Sequence, residues 1–171
     1  VVMIAKPDKS TRVCINYKKL NNISLLETEP LNQADDIFNK LGGSSIYSKF
    51  DMSKGYWQVK MAEDSIDKTS FTCHRGTFSF LVMPFGLASA PFCFSRIMRR
   101  LLENSTGLDN YLDNVLAFSS SWDDHLKTLR NFVTRVRDAN LAIKPSKCQI
   151  GYKGLDFLGH SVVEDYRTPN P

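Results

Sequence analysis

The sequence predicts an α+β fold, and its composition and its order of segments favour that class. Hydrophobic residues make up 42% of the 171 residues, enough for a sizeable buried core, and only 23% are charged. Strand-like and helical segments follow one another without strict alternation, which argues against a doubly wound parallel sheet. The chain has neither an internal repeat nor a G-x-G-x-x-G motif, and its length allows one domain or two small ones.

The first part of the chain predicts strands interrupted by two helices. Pro30 at the start and Gly42 and Gly43 just past the end frame the first of these helices. Alternation of apolar and polar residues predicts the strands, and turn residues separate them. The strands are predicted at 1–6, 12–17, 45–52, 68–73 and 77–83, the helices at 30–41 and 91–102, and a short turn or helix at 53–59.

The second part predicts a hairpin, a long helix and further strands. Residues 108–119 form the hairpin, because apolar stretches flank Asp113 and Asn114, which tolerate turn conformations. Ser121 and Asp124 resemble a capping box at the start of an amphipathic helix. The remaining predicted elements are a strand at 141–144 and a last hairpin that pairs 148–150 with 155–163.

Charge and composition exclude some classes of protein. Lys and Arg exceed Asp and Glu by 22 to 18, which suits a polyanionic partner but is common among unrelated enzymes. The apolar runs fall short of the roughly 18 residues that a membrane helix needs, so we expect no membrane association. The four cysteines and three histidines are scattered without a C-x-x-C pair, so we expect free thiols and no zinc site.

Two aspartates lie where a chemical site could form. Asp51 ends an apolar strand, and Asp113 lies at the tip of the apolar hairpin, 62 residues further on. If the two strand ends meet, the carboxylates can share divalent cations that also bind phosphate oxygens. The alternative is that Asp113 and Asn114 only form a turn and Asp51 only ends a strand. Spacing alone leaves both interpretations open.

Seven segments carry a resemblance that covers nearly the whole chain. They are RVCINYKKLN at 12–21, LGG at 41–43, FDMSKGYWQ at 50–58, KTSF at 68–71, FLVMPFGLASAP at 80–91, NYLDNVLAFS at 110–119 and FLGH at 157–160. In order and spacing they resemble the reverse transcriptase of gypsy-type long-terminal-repeat retrotransposons.

The resemblance implies a right-hand polymerase, with a palm made of a ferredoxin-like antiparallel sheet that has helices on one face, plus partial fingers. The fingers would take residues 1–26 and 59–88, and the palm residues 27–58 and 89–163. Residues 164–171 would be a linker toward a missing thumb. We therefore expect the chain to be a fingers-palm fragment of a longer Pol polyprotein.

The resemblance also implies a catalytic metal site. Asp51 and Asp113 match the metal-binding carboxylates, which in the family hold two Mg²⁺ ions, with Mn²⁺ as an alternative. Asn114 stands at the third catalytic carboxylate position, because the family motif Tyr-x-Asp-Asp here reads YLDN. The amide keeps an oxygen but no charge, and losing a ligand charge costs about 3 kcal/mol of transition-state stabilisation, or about 10²-fold in rate.

Four residues match the family's nucleotide-binding positions. Tyr56 would lie under the incoming sugar and block a 2′-hydroxyl, and Phe85 would line the nucleotide pocket. Lys6 and Arg12 would hold the triphosphate, as a point charge and a bidentate fork respectively. The alternatives are core packing for Phe85 and a solvated hairpin for the two cations.

The segment Phe157, Leu158, Gly159 and His160 resembles the hairpin that grips the primer end. The alternative is that Phe157 and Leu158 simply pack that hairpin against the core. Sequence reasoning leaves both interpretations open.

The implied function is RNA-directed DNA synthesis. The partners would be an RNA or DNA template with its primer, deoxynucleoside triphosphates, and the thumb, RNase H and integrase domains of the polyprotein. We expect an intracellular location, in a cytoplasmic particle or the nucleus. Two alternatives remain, a catalytically dead module that only binds nucleic acid and a structural protein that kept the fold.

Overall fold

The computed structural model describes residues 2–5, 11–26, 32–52, 54–163 and 166–169. The chain divides into two units whose sequences interleave. The first takes Val1–Glu29 and Lys54–Phe94, and the second takes Pro30–Ser53 and Ser95–Pro171. The boundaries expected between fingers and palm were after residues 26, 58 and 88, and the assignment of fingers and palm stays a prediction.

The described elements alternate irregularly along the chain. The strands are β1 (Val2–Ala5), β2 (Thr11–Cys14), β3 (Ile46–Asp51), β4 (Phe71–Cys73), β5 (Gly76–Phe78), β6 (Leu108–Tyr111), β7 (Asn114–Ser119), β8 (Gln149–Tyr152), β9 (Gly154–Phe157), β10 (His160–Val163) and β11 (Tyr166–Pro169). The helices are α1 (Lys18–Ile23), α2 (Ala34–Asn39), α3 (Glu63–Ile66), α4 (Ala90–Leu102) and α5 (Trp122–Asp138). Short 3₁₀ turns lie at Gly55–Gln58, Asp67–Thr69 and Pro145–Lys147.

The first unit contains two antiparallel strand pairs, β1 with β2 and β4 with β5. It also contains α1 and α3, which the sequence pattern did not predict, because helices of six and four residues are too short to show an apolar stripe. Tyr17 is buried and its hydroxyl donates to the carbonyl oxygen of Thr69 at 2.9 Å, which ties two distant segments of this unit together.

The second unit is built on a four-stranded antiparallel sheet in the order β6-β7-β3-β8. Helix α5 packs on one face, where the rings of Phe132 and Phe50 lie 4.7 Å apart. On the other face, α2 and the β9–β10 hairpin enclose a core around Tyr47 and Leu116. The predicted α+β class with antiparallel sheets is therefore confirmed.

Two predicted elements of the second unit are wrong. Residues 141–144 form no strand, and Ile143 makes only an isolated bridge to Met52. Strand β8 pairs with β3, so the last hairpin is β9 with β10 instead. Leu158 and Gly159 both have positive φ and close a two-residue turn between these strands, a geometry that favours a tight hairpin.

The segment expected to be a linker, residues 164–171, includes a strand, and its role as a linker stays a prediction. Tyr166–Pro169 form β11, which pairs antiparallel with β10 because the outer edge of that strand offers unpaired backbone groups.

Within the described residues, no helix combines the length and the apolar character needed to cross a membrane.

Candidate active site

The end of strand β3 meets the turn of the β6–β7 hairpin. Asp51 is the last residue of β3, and its Cα partner on the neighbouring strand is Asn114. The backbone N–H of Met52 donates to the carbonyl oxygen of Asp113 at 3.0 Å. The fold therefore brings together the three residues predicted at the catalytic positions, although they lie in two distant sequence segments.

The hairpin turn is one residue earlier than the sequence predicted. Tyr111 pairs with Asn114, so the turn consists of Leu112 and Asp113, and Asn114 begins β7. Leu112 has a φ of 52°, and the side-chain amide of Asn110 donates to its carbonyl oxygen at 3.0 Å. Because cross-strand partners share a sheet face, the side chain of Asn114 lies on the same face as that of Asp51.

The pKa of Asp113 reflects its burial and the charged groups near it. Burial raises the pKa of Asp113, and the nearby carboxylate of Asp51 raises it further, whereas its own backbone N–H and the ammonium of Lys147 lower it. The Asn114 amide nitrogen lies 3.4 Å from a carboxylate oxygen of Asp113. A neutral amide thus stands where a third carboxylate would add to the repulsion.

Lys147 belongs to this site, and sequence reasoning missed it. Its ammonium nitrogen lies 2.8 Å from Oδ2 of Asp51, whose side chain is 17% exposed. The backbone N–H of Lys144 also donates to the carbonyl oxygen of Asp51, at 2.8 Å. Lys147 and Asp51 are 96 residues apart, so no local pattern could have indicated the pair.

The donor atoms of the site suit a hard divalent cation. Asp51 and Asp113 offer carboxylate oxygens and Asn114 an amide oxygen, and Mg²⁺ binds through one or two carboxylates while keeping waters and phosphate oxygens as its other ligands. Among the described residues there is no group of three or more His, Cys, Asp or Glu side chains that could hold a metal. A cation at Asp51 would compete with Lys147 for Oδ2.

The first unit holds an aromatic cluster around Tyr56. The rings of Tyr56 and Phe85 are 5.3 Å apart, and the Tyr56 and Phe94 rings are 5.7 Å apart. Trp57, which sequence reasoning did not select, is 39% exposed and lies 5.6 Å from the Phe85 ring. The ammonium of Lys54 lies 5.2 Å from the Trp57 ring centroid. This cluster is partly exposed, its rings are inclined to one another, and a cation lies beside Trp57.

The structure describes only one of the two cations predicted to hold the triphosphate. Lys6 is outside the described residues, and Arg12 lies on strand β2.

The predicted primer-gripping segment lies in the β9–β10 hairpin of the second unit. Phe157 is 1% exposed and meets the ring of Phe38 edge-on at 6.3 Å, so this residue packs the core. Leu158 and Gly159 form the turn, and the ring of His160 lies 5.0 Å from that of Phe38.

Comparison with known proteins assigns the family. A family profile described as Reverse transcriptase (RNA-dependent DNA polymerase) matches residues 4–162. The chain belongs to the reverse transcriptase family. It is 40% identical, over 99% of its length, to the Retrovirus-related Pol polyprotein from transposon 297 of Drosophila melanogaster. It is 36% identical to Polyprotein P3 of Commelina yellow mottle virus over 88% of its length. These two matches cover 17% and 8% of the respective relatives.

A further relative and two solved structures also match the chain. The Transposon Tf2-7 polyprotein of Schizosaccharomyces pombe is 29% identical over 99% of this chain, which covers 13% of that relative. A foamy viral protease-reverse transcriptase solved in complex with double-stranded DNA matches 98% of this chain, with a TM-score of 0.92 and 24% identity. The same viral protein solved in complex with an RNA/DNA hybrid has a TM-score of 0.91. These chains are covered to 30% and 23%, and they establish the fold of this reverse transcriptase domain.

Proposed function

We propose that this reverse transcriptase domain is the core of an RNA-directed DNA polymerase that adds deoxynucleotides to a primer 3′-hydroxyl. The observation that carries the proposal is the meeting of Asp51 with the Asp113 turn at one end of the sheet. Two carboxylates that meet there can hold divalent cations, and such cations would bind the phosphate oxygens and neutralise the negative charge that develops as pyrophosphate leaves. The names of the relatives favour a domain of a longer Pol polyprotein. We propose a thumb, an RNase H and an integrase as its further domains.

We further propose Mg²⁺ as the cofactor, with two ions at the site and Mn²⁺ as an alternative. Asp51 and Asp113 would hold the metal, which supplies activation of the attacking hydroxyl and stabilisation of the leaving group. Lys147 neutralises Asp51 when no cation is bound, because its ammonium lies in hydrogen-bond contact with that carboxylate.

The aromatic cluster of the first unit is proposed to select the nucleotide. Tyr56 would lie under the sugar of a deoxynucleoside triphosphate and exclude a 2′-hydroxyl, and Phe85 would support that ring through their contact at 5.3 Å. Lys6 and Arg12 are proposed to bind the triphosphate.

The β9–β10 turn is proposed to hold the primer end. Leu158, Gly159 and His160 would contact the primer, whereas Phe157 is buried and anchors the turn in the core. The template would be RNA or DNA. The foamy viral structures in complex with DNA and with an RNA/DNA hybrid support this class of partner. We also propose an intracellular location, in a cytoplasmic particle or the nucleus.

One alternative has a specific observation in its favour. Asn114 removes a carboxylate from the site, which favours a module that binds primer-template without extending it. Single-nucleotide incorporation on a primed RNA template, measured with Mg²⁺ beside binding at several salt concentrations, separates the two functions. Incorporation supports the polymerase, and salt-dependent binding without any incorporation, even with Mn²⁺, supports the binding module. The absence of binding at low salt would contradict both.

Replacing Tyr56 is expected to relax the selection of the sugar. Tyr56→Ala removes the ring that blocks a 2′-hydroxyl, so the preference for a deoxynucleotide over the matching ribonucleotide should fall by about 10-fold, a typical effect of one lost steric contact. The measurement is the ratio of kcat/KM for the two nucleotides. Tyr56→Phe keeps the ring and should keep the preference. A preference that is equal in both variants would contradict the role of the ring.

A further inference from the structure

The side chain of Asn21 joins α1 to the segment that carries Phe85. Its amide nitrogen donates to the carbonyl oxygen of Gly86 at 2.9 Å. Its amide oxygen accepts from the backbone N–H of Ala88 at 3.0 Å. One side chain therefore satisfies a backbone acceptor and a backbone donor in a segment more than 60 residues away.

The segment it holds lacks regular secondary structure. Pro84 has no N–H to donate, and Gly86 has a φ of 99°, with a Cβ there lying 3.1 Å from the carbonyl oxygen of Ile15. The N–H of Met83 donates to the carbonyl oxygen of Val59 at 2.8 Å, which fixes the start of the segment. The Asn21 amide fixes the residues that follow Phe85, so it constrains the backbone where that ring is attached.

Phe85 in turn packs on the residues proposed to meet the nucleotide. Its ring centroid lies 5.3 Å from that of Tyr56 and 5.6 Å from that of Trp57. We propose that Asn21 is a positioning residue that holds Phe85 against Tyr56 and Trp57. The position of Phe85 in turn determines how tightly the domain binds the nucleotide. The inference rests on the proposed polymerase function for its effect on nucleotides. The contact between Asn21 and the Phe85 segment does not depend on that function.

The first test is kinetic. Asn21→Ala removes both hydrogen bonds, so the KM for a deoxynucleotide in single-nucleotide incorporation should rise by about 10-fold, as expected for two lost neutral hydrogen bonds. The kcat should stay within about twofold, because Asn21 contacts neither metal ligand. Asn21→Asp keeps the acceptor for Ala88 but places a carboxylate oxygen against the carbonyl oxygen of Gly86, so its KM should rise as well.

The control is Asn22→Ala, which removes the same side chain from the neighbouring, exposed position of α1. Its KM should equal that of the parent chain. All variants are compared in the Asn114→Asp background, where incorporation is expected to be fastest. A KM unchanged in Asn21→Ala, or raised equally in Asn22→Ala, would overturn the proposal.

The second test does not need activity. The chain has two tryptophans, and Trp122→Phe leaves Trp57 as the fluorescent reporter of the Phe85 segment. Asn21→Ala should shift the Trp57 emission to longer wavelength as Phe85 moves away, and Asn22→Ala should not. Unchanged emission in Asn21→Ala overturns the inference. If neither the parent nor the Asn114→Asp chain incorporates nucleotide while the emission still shifts, the proposed function fails and the positioning of Phe85 stands.

Discussion

Asn114→Asp is expected to raise Mg²⁺-dependent nucleotide incorporation by about 10²-fold, which corresponds to about 3 kcal/mol of transition-state stabilisation. The measurement is the rate of single-nucleotide incorporation on a primed RNA template at saturating Mg²⁺. The substitution restores the carboxylate that the family motif has at this position.

The geometry explains why one negative charge at position 114 should have a large effect on the rate of nucleotide incorporation. Asn114 is the direct Cα partner of Asp51, and its side chain shares a sheet face with that carboxylate. Its amide nitrogen lies 3.4 Å from an oxygen of Asp113, so a carboxylate there would lie among the oxygens proposed to bind metal. An amide oxygen can ligate Mg²⁺, but it contributes no negative charge to hold the ion.

The same substitution should lower stability when no metal is present. The pKa of Asp113 is raised by burial and also by the charge of Asp51, so repulsion already exists between two carboxylates. A third carboxylate opposite Asp51 adds to it, with Lys147 as a neighbouring cation. The melting temperature of Asn114→Asp should therefore lie below that of the parent in a chelator and recover when Mg²⁺ is added.

Asn22→Asp is the matched control, because it adds the same charge at an exposed position of α1. It should change neither the rate nor the metal dependence of the melting temperature. Equal incorporation rates for Asn114→Asp and the parent would refute the catalytic argument. A metal-free melting temperature above that of the parent would refute the argument from repulsion.

The place of the candidate site in the fold was predictable because its two aspartates each have a local signal. Asp51 follows an apolar strand, and Asp113 interrupts an apolar hairpin, so both lie where strands end. The register was not predictable to one residue. Asn and Asp both tolerate turn conformations, but the fold places Leu112 in the turn with positive φ and holds its carbonyl through Asn110, which leaves Asn114 in the strand.

The last hairpin was predicted wrongly because strand pairing depends on contacts between segments that are distant in the sequence. Residues 148–150 could pair with any strand of matching pattern, and the pairing of β8 with β3 depends on contacts between segments about 100 residues apart. Trp122 lies against Gly151, where a Cβ would come within 2.9 Å of its ring, and this contact between distant segments has no local signal. Lys147 was missed for the same reason, since its partner Asp51 is distant in the sequence.

His125→Ala is expected to lower the free energy of unfolding by about 3 kcal/mol, because it leaves a cavity and takes one hydrogen-bond partner from each of two buried hydroxyls. His125 is fully buried on α5. Its Nε2 lies 2.7 Å from Oγ of Ser48 on β3, and its Nδ1 lies 3.2 Å from Oγ of Ser119 on β7. Oγ of Ser48 also accepts from the N–H of Gly151, so the network joins the helix to three strands. Urea unfolding at neutral pH measures the loss.

The same residue should make stability depend on pH. Burial lowers the pKa of His125 from its ordinary value of 6.5. As the pH falls below 6.5, the unfolded chain takes up a proton on this residue while the folded chain resists it, so this residue's contribution to stability falls and then levels off below the folded pKa. His125→Gln keeps polar atoms near both serines without a titrating group, and its stability should fall less than the parent's between about pH 7.5 and about pH 5.5.

His74→Ala is the matched control, because His74 is exposed in the turn between β4 and β5. It should reproduce the parent's unfolding free energy at both pH values, because its exposed side chain is not part of the Ser48–His125–Ser119 network. If the loss of stability on acidification were the same in His125→Gln as in the parent, another group would have to cause it. If His125→Ala were as stable as the parent, the Ser48–His125–Ser119 network would not hold α5 to the sheet that carries Asp51 and Asp113.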